Sequence, residues 1–273
     1  MNKIGIQGIE GSFHHMAVER LFPNGCKLLE YRTFDELAKG VSNKECDQGI
    51  IAIENSIAGS ILPNYALLDQ HALSIIGEYY LKIDHNLMVL PGQKIDEIKE
   101  VHSHPMALLQ CKHFFAKYPH IKLVESDDTA LVAKEILENK SIAMGAVASK
   151  KASELFKLEI ISESIQTIKN NVTRFVLVQN AFSKNKQKVT KAAWKFTLEH
   201  KRGSLATVLN VISDCNLNLT KIQSLPIIET PGKYAFFVDL TFEIELDYFK
   251  AKSLIEIMSS SFKVLGEYKS GKF

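Results

Sequence analysis

The sequence predicts an α/β protein in two parts: a two-lobed domain of βα units, followed by a smaller β-α-β-β-α-β module. Three observations carry this prediction. Short apolar runs alternate with amphipathic segments through the first two thirds of the chain. The run Ser183-Lys184-Asn185-Lys186-Gln187-Lys188 then interrupts with polar, basic, aperiodic sequence, and a second alternation follows it. Strands alternating with helices imply a largely parallel sheet covered on its faces. The aperiodic run reads as a flexible linker. The expected division is 1–182, a linker over 183–191, and 192–273.

The elements follow in order from hydrophobic periodicity. Lys3 to Gln7 reads as a strand, and Ser12 to Phe22 as a helix with Phe13, Ala17, Val18, Leu21 and Phe22 on its apolar side. Leu28 to Tyr31 and Gly49 to Ile53 are strands around a helix through Phe34, Leu37, Ala38 and Val41. A helix follows Ser60, and Ile75 to Leu90 holds two strand-like runs. From Val101 come a helix at Pro105 to Lys117, a strand at Ile121 to Val124, a helix at Thr129 to Glu138, a strand at Ser141 to Met144 and a helix at Val147 to Leu155. Beyond the linker, strands at Trp194 to Glu199, Leu217 to Ile222, Tyr234 to Phe242 and Phe262 to Gly266 enclose two helices. One helix opens at Gly203-Ser204; the other carries Phe249, Leu254, Ile255 and Met258. That order is the ferredoxin-like split βαβ plan.

Composition excludes several classes. With 46% hydrophobic and 23% charged residues the chain is globular in type. A net charge of +2 offers no footprint for nucleic acid or an anionic membrane. No stretch reaches the ~18 apolar residues of a spanning helix, and the first residues lack a signal peptide's apolar run, so a cytosolic location is expected. Cys26, Cys46, Cys111 and Cys215 are scattered without metal-ligand spacing, and buried free thiols are expected with no metal site.

Unusual polar residues gather where strands end. Gly8-Ile9-Glu10-Gly11-Ser12 leaves the first strand, with glycines that permit close approach and a Ser suited to capping. Glu54-Asn55-Ser56 closes another strand, and Ser103-His104-Pro105 and Asp127-Asp128-Thr129 open helices. Helix N-termini on that side suit a small anion, although each loop also serves simply as a cap. Asn170-Asn171-Val172-Thr173-Arg174-Phe175 sets carboxamides, a hydroxyl and a guanidinium at the mouth of an apolar strand. Such groups either build a hydrogen-bonded turn or converge on a small polar ligand.

Taken together these stretches resemble the prephenate dehydratase family. Gly8 to Phe13 is similar to its glycine-rich opening, and Glu54-Asn55-Ser56 with Gly59-Ser60 to its ENS…GS signature. Ser103-His104-Pro105-Met106-Ala107-Leu108-Leu109-Gln110-Cys111 resembles its SHPQAL-Q-C helix, with Met106 where Gln is usual, and Asn171 to Phe175 resembles N-x-TRF. The C-terminal module resembles the ACT regulatory domain through Gly203-Ser204-Leu205-Ala206, Asn218 to Ile222 and Tyr234 to Asp239. No chorismate mutase segment precedes the first strand, so a monofunctional form is expected, with a catalytic part of the two-lobed, periplasmic-binding-protein-like type.

The resemblance implies a cofactor-free lyase that converts prephenate to phenylpyruvate, carbon dioxide and water. Hydroxide leaves poorly, so a donor is needed at the ring oxygen, and the resemblance assigns that task to Thr173. Asn55, Ser103 and Gln110 are assigned to orientation and electrostatic support. Neutral groups suit the leaving carboxylate, because a cation would stabilise a charge that must disappear. Arg174 has two readings, carboxylate anchor or brace. Glu54, Gly11, Ser12, Asn171 and Phe175 complete the expected substrate-contacting set, and His104 is either a rival acid or a helix cap. The resemblance also implies phenylalanine as effector and a homodimer or homotetramer. The effector segments would be Gly203-Ser204-Leu205-Ala206 and Gln223-Ser224-Leu225-Pro226; the second lacks the acid and guanidinium of the family's ESRP. Arogenate dehydratase is the competing enzyme, and a non-catalytic amino-acid sensor the competing class.

Overall fold

In a computed structural model, residues 1–180, 188–227 and 230–271 are described. Residues 183–187 of the expected linker lie outside them. The chain divides into two units, one of Met1–Ile61 with Tyr79–Phe175 and one of Leu62–Glu78 with Val176–Phe273.

The elements of the chain before the linker are β1 (Lys3–Gln7), α1 (Phe13–Leu21), β2 (Lys27–Tyr31), α2 (Phe34–Ser42), β3 (Gln48–Asn55), β4 (Gly59–Ser60), α3 (Leu62–Gln70), β5 (Ser74–Lys82), β6 (Asn86–Val89), β7 (Glu100–Ser103), α4 (Pro105–Phe115), β8 (Lys122–Glu125), α5 (Thr129–Asn139), β9 (Met144–Ala148), α6 (Lys150–Phe156), β10 (Glu159–Ser162) and β11 (Val172–Gln179). The first unit holds two sheets. In one, β2, β1 and β3 are parallel neighbours, with β11 beside β3. Buried Ile4, Ile6, Ile50, Ile51 and Ile53 make its core, the apolar pattern of strands covered on both faces.

The other sheet has the order β10-β6-β9-β7-β8. Strand β6 explains why three consecutive apolar residues are needed there. Successive side chains alternate faces, so Leu87 and Val89 join the α4 side with Ala107, Leu108 and Cys111, whereas Met88 joins the α5 and α6 side with Ala130, Ala133 and Ala152. A largely parallel sheet was expected, and this one is mixed: β7 runs parallel to β8 and β9, but β6 runs antiparallel to β9 and β10.

Two boundaries differ from expectation for a local reason. Lys140 and Ala143 hold φ of 49° and 61°, which turns the backbone where Ser141 to Met144 was expected to be extended. The strand therefore begins at Met144, Val147 and Ala148 pair with β6, and the helix starts only after Ser149 caps it by accepting from Ala152 N.

In the second unit β12 (Lys191–Thr197), α7 (Ser204–Asp214), β13 (Asn218–Pro226), β14 (Tyr234–Thr241), α8 (Glu245–Met258) and β15 (Ser261–Tyr268) follow the expected β-α-β-β-α-β order. The strands lie as β13-β14-β12-β15, antiparallel throughout, with β5 beside β15. Trp194, Phe196, Val208, Ile212, Tyr248 and Ile255 fill the space between sheet and helices. Of the four cysteines, Cys46, Cys111 and Cys215 are buried; Cys26 is partly exposed, contrary to expectation. Among the described residues no helix is long and apolar enough to cross a membrane.

Candidate active site

Two of the stretches singled out by sequence, at Glu54-Asn55-Ser56 and at Asn170 to Phe175, meet in the first unit with Gln110 of α4 through a chain of side-chain amides. Asn55, at the end of β3, accepts at Oδ1 from the backbone N–H groups of Ile57 and Ala58, each at 2.9 Å. Backbone N–H groups only donate, so this pair orients the Asn55 carboxamide. Its Nδ2 then donates to Asn171 Oδ1 at 2.7 Å and to Thr173 Oγ1 at 2.9 Å. Asn171 must therefore turn its own Nδ2 away, and donates it to Gln110 Oε1 at 2.8 Å.

Two loose ends result. Thr173 Oγ1 receives a hydrogen bond from Asn55, which leaves its own proton without an acceptor among the described residues. Gln110 is bonded through its side-chain oxygen, and its Nε2 has no partner among the described residues. Thr173 is 8% exposed and Gln110 is half-buried, so these are donors at the rim of a buried network. Such an arrangement is suited to an oxygen-bearing ligand.

Strand alternation separates the neighbours of these groups. Asn171, Thr173 and Phe175 point to one face, Arg174 to the other, and likewise Asn55 against Glu54. On that second face Arg174 Nη1 lies 4.0 Å from Glu54 Oε2, with the arginine side chain 4% exposed. This cation stands on the opposite face of β11 from Thr173, beside Glu54 of β3. Phe175 packs edge-on against the His14 ring at 4.9 Å. Burial among apolar groups pushes the His14 pKa down to about 3.

The other expected residues take structural positions around the chain. Ser103 is fully buried and donates from Oγ to Val147 O at 2.6 Å, tying β7 to β9, so it does not reach the amide chain. His104 is exposed and caps α4, accepting from Met106 N at 3.2 Å, while Met106 itself is 38% exposed. Ser12 caps α1 by accepting from His15 N. Gly11 has φ of +89°, and a Cβ there would lie 3.1 Å from Ala152 Cα. Its carbonyl accepts from Ser149 Oγ at 2.5 Å, which pins the glycine loop to α6. Asn170 is exposed and is held through its carbonyl by Ser56 Oγ, whereas Asn171 is fully buried. The effector segments lie in the second unit. Gly203 has φ of +85° before α7, Ser204 to Ala206 form its first turn, and Gln223 to Pro226 lie on β13 at the sheet edge.

One participant was missed by sequence reading. His85 lies between β5 and β6, 4% exposed, with Nε2 3.0 Å from Gln110 Oε1. The polar trio Asp84-His85-Asn86 between two apolar strands was the available signal. Asn86 Oδ1 accepts from Ser164 N, and Gln166 Nε2 bonds Asp84, so the trio ties β5 and β6 to the segment before β11.

A family profile described as prephenate dehydratase matches residues 4–183. The chain is 33% identical over 279 residues to arogenate dehydratase/prephenate dehydratase 2, chloroplastic, of Arabidopsis thaliana, covering 97% of this chain and 72% of that protein. It is 31% identical over 270 residues to the bifunctional chorismate mutase/prephenate dehydratase of Buchnera aphidicola subsp. Acyrthosiphon pisum (strain APS), covering 97% of this chain and 70% of that one. Its fold superposes with a TM-score of 0.89, at 23% identity, on the crystal structure of prephenate dehydratase in complex with L-Phe from Arthrobacter aurescens, over 98% of this chain and 90% of that chain. Profile and relatives span the amide chain and its loops, and the chain belongs to the prephenate dehydratase family.

Proposed function

We propose that the protein converts prephenate to phenylpyruvate, carbon dioxide and water. The observation that carries this reading is the outward donor at Thr173: its oxygen accepts from Asn55, so its proton is available to a departing ring hydroxyl. In the elimination the bond to the ring carboxylate breaks, and its electron pair enters the ring as carbon dioxide leaves. The ring C–O pair departs with oxygen, which takes a proton and becomes water. A threonine hydroxyl is a weak acid, so Thr173 donates a hydrogen bond and relays a solvent proton.

Asn55 and Gln110 act as neutral supports, in keeping with a carboxylate whose charge must vanish. Ser103, bonded to Val147, supports the site through the strands. Arg174 and Glu54 brace the far face. The test is phenylpyruvate formation by purified protein, with arogenate as parallel substrate because a relative's name includes both activities. Thr173→Ala is expected to lower turnover by roughly two to four orders of magnitude with little change in KM. Near-normal turnover would remove Thr173 from the chemistry.

The C-terminal module is proposed to act as an ACT domain that binds phenylalanine. Support comes from a cleft of about 210 Å³ beside the first turn of α7, lined by Ser204 and Leu205 with Glu199, Lys201 and Lys233 at hand. An amino acid needs a partner for its ammonium and another for its carboxylate, and these charges suit both. Gln223, Ser224, Leu225 and Pro226 do not line that cleft. They lie on edge strand β13, where pairing with a second copy would complete a homodimer or homotetramer. Calorimetric titration with phenylalanine, against tyrosine and tryptophan, decides it; no heat at millimolar ligand ends the proposal.

A further inference from the structure

We infer that His85 is a positioning residue of the dehydratase site, held as the Nε2–H tautomer and acting through Gln110. The inference rests on the function proposed above and deepens it. Its starting point is the orientation set at Asn55. Because Ile57 N and Ala58 N donate to Asn55 Oδ1, Asn55 presents N–H to Asn171 Oδ1. Asn171 in turn presents N–H to Gln110, so the Gln110 atom at that junction is the carbonyl oxygen. His85 Nε2, 3.0 Å from the same oxygen, must then carry a hydrogen.

Two donors on one oxygen fix the plane of the Gln110 carboxamide. Its Nε2, without a partner among the described residues, is thereby offered as a donor to an acceptor oxygen of the substrate. The other ring nitrogen of His85, Nδ1, is buried without a hydrogen-bond partner among the described residues. Burial favours the neutral ring, which with hydrogen on Nε2 leaves Nδ1 unprotonated; Phe13 packs edge-on at 5.6 Å. The backbone of His85 is held as firmly: its N–H donates to Gln166 Oε1 at 2.9 Å and its carbonyl accepts from Ile165 N at 2.7 Å. The imidazole thus resembles the outer groups that orient ligating side chains in other sites, where removal weakens function without touching the ligand.

The test compares His85→Gln with His85→Met, which have similar volume and differ in whether a donor stands near the old Nε2. His85→Met is expected to lose about ten- to hundredfold in kcat with KM within a few-fold of the parent, and His85→Gln to recover most of that loss. Thermal melting of His85→Met should not fall in step with kcat, because the substitution also removes the unpartnered Nδ1. Equal kcat for the two variants overturns the inference. A long-range proton–nitrogen spectrum of the His85 ring reads the tautomer independently of turnover: hydrogen on Nε2 supports the inference and hydrogen on Nδ1 overturns it. A parent enzyme inactive on both prephenate and arogenate would sink the proposed function, while the ring spectrum still judges the tautomer.

Discussion

Two buried polar networks, one in each unit, differ in a way that separates chemistry from support. In the first unit the amides of Asn55, Asn171 and Gln110 are neutral, and the chain ends on two donors without partners among the described residues. In the second, Glu78 and Lys191 form an ion pair at 2.9 Å with side chains 0% and 3% exposed. Ser270 Oγ and Gly271 N also donate to Glu78 Oε1, so the carboxylate is enclosed by donors from β12 and from the segment after β15. A buried charge requires such enclosure, since an unpaired one would be too costly. Neutral amides tolerate open ends, and open ends are what a ligand can complete. The same principle is visible nearby at lower burial: burial raises the Asp69 pKa, but hydrogen bonds from Lys195 and Lys263 outweigh it and hold the carboxyl below its usual range.

The contrast is tested most severely at its two centres. Thr173→Ala should remove two to four orders of magnitude of turnover while urea unfolding shows a change under about 1 kcal/mol; a comparable loss of stability would make Thr173 a structural residue. Lys191→Met leaves Glu78 buried without its cation and should cost about 3–5 kcal/mol of stability. A shift under about 1 kcal/mol there would mean that the remaining donors alone hold the carboxylate.

Acid provides the smaller probe. Burial lowers the His14 pKa to about 3, and burial lowers that of His85 to about 4 despite the hydrogen bond with Gln110. Both folded values lie below the roughly 6.5 of an unfolded histidine. The unfolded chain therefore takes up protons first, and the stability contributed by neutral burial is fully present above pH ~6.5 and falls as pH drops. The loss should run at about 1.4 kcal/mol per pH unit for each histidine, levelling off as pH passes the folded value. Unfolding midpoints measured through this range should show a shallower slope in His14→Phe, since a ring between Phe34 and Phe175 no longer titrates. An unchanged slope would break the assignment.

Much of this organisation was legible in the residues because it depends on local rules. The apolar periods of β1, α1 and the C-terminal module, the capping residues Ser12 and Asp128, and the polar strand mouth at Asn171 to Phe175 are all short-range patterns. Local rules failed where tertiary pairing overrode them: Val147 and Ala148 read as the start of a helix but are held extended by β6, and β10 has only an edge position against β6 to define it. His85 escaped notice for the same reason, since nothing in Asp84-His85-Asn86 announces a glutamine on another element.

By itself the sequence determined which chemical groups are present, on which strands and loops they fall, and to which family the chain belongs. The tertiary structure alone decided what each polar group is doing. Whether an amide offers oxygen or nitrogen, and which histidine nitrogen carries hydrogen, follow from partners far away in the chain; Asn55 and Asn171 are 116 residues apart. Hydrogen bonds have direction, so two backbone N–H groups after β3 orient an entire network that ends at Thr173 and His85.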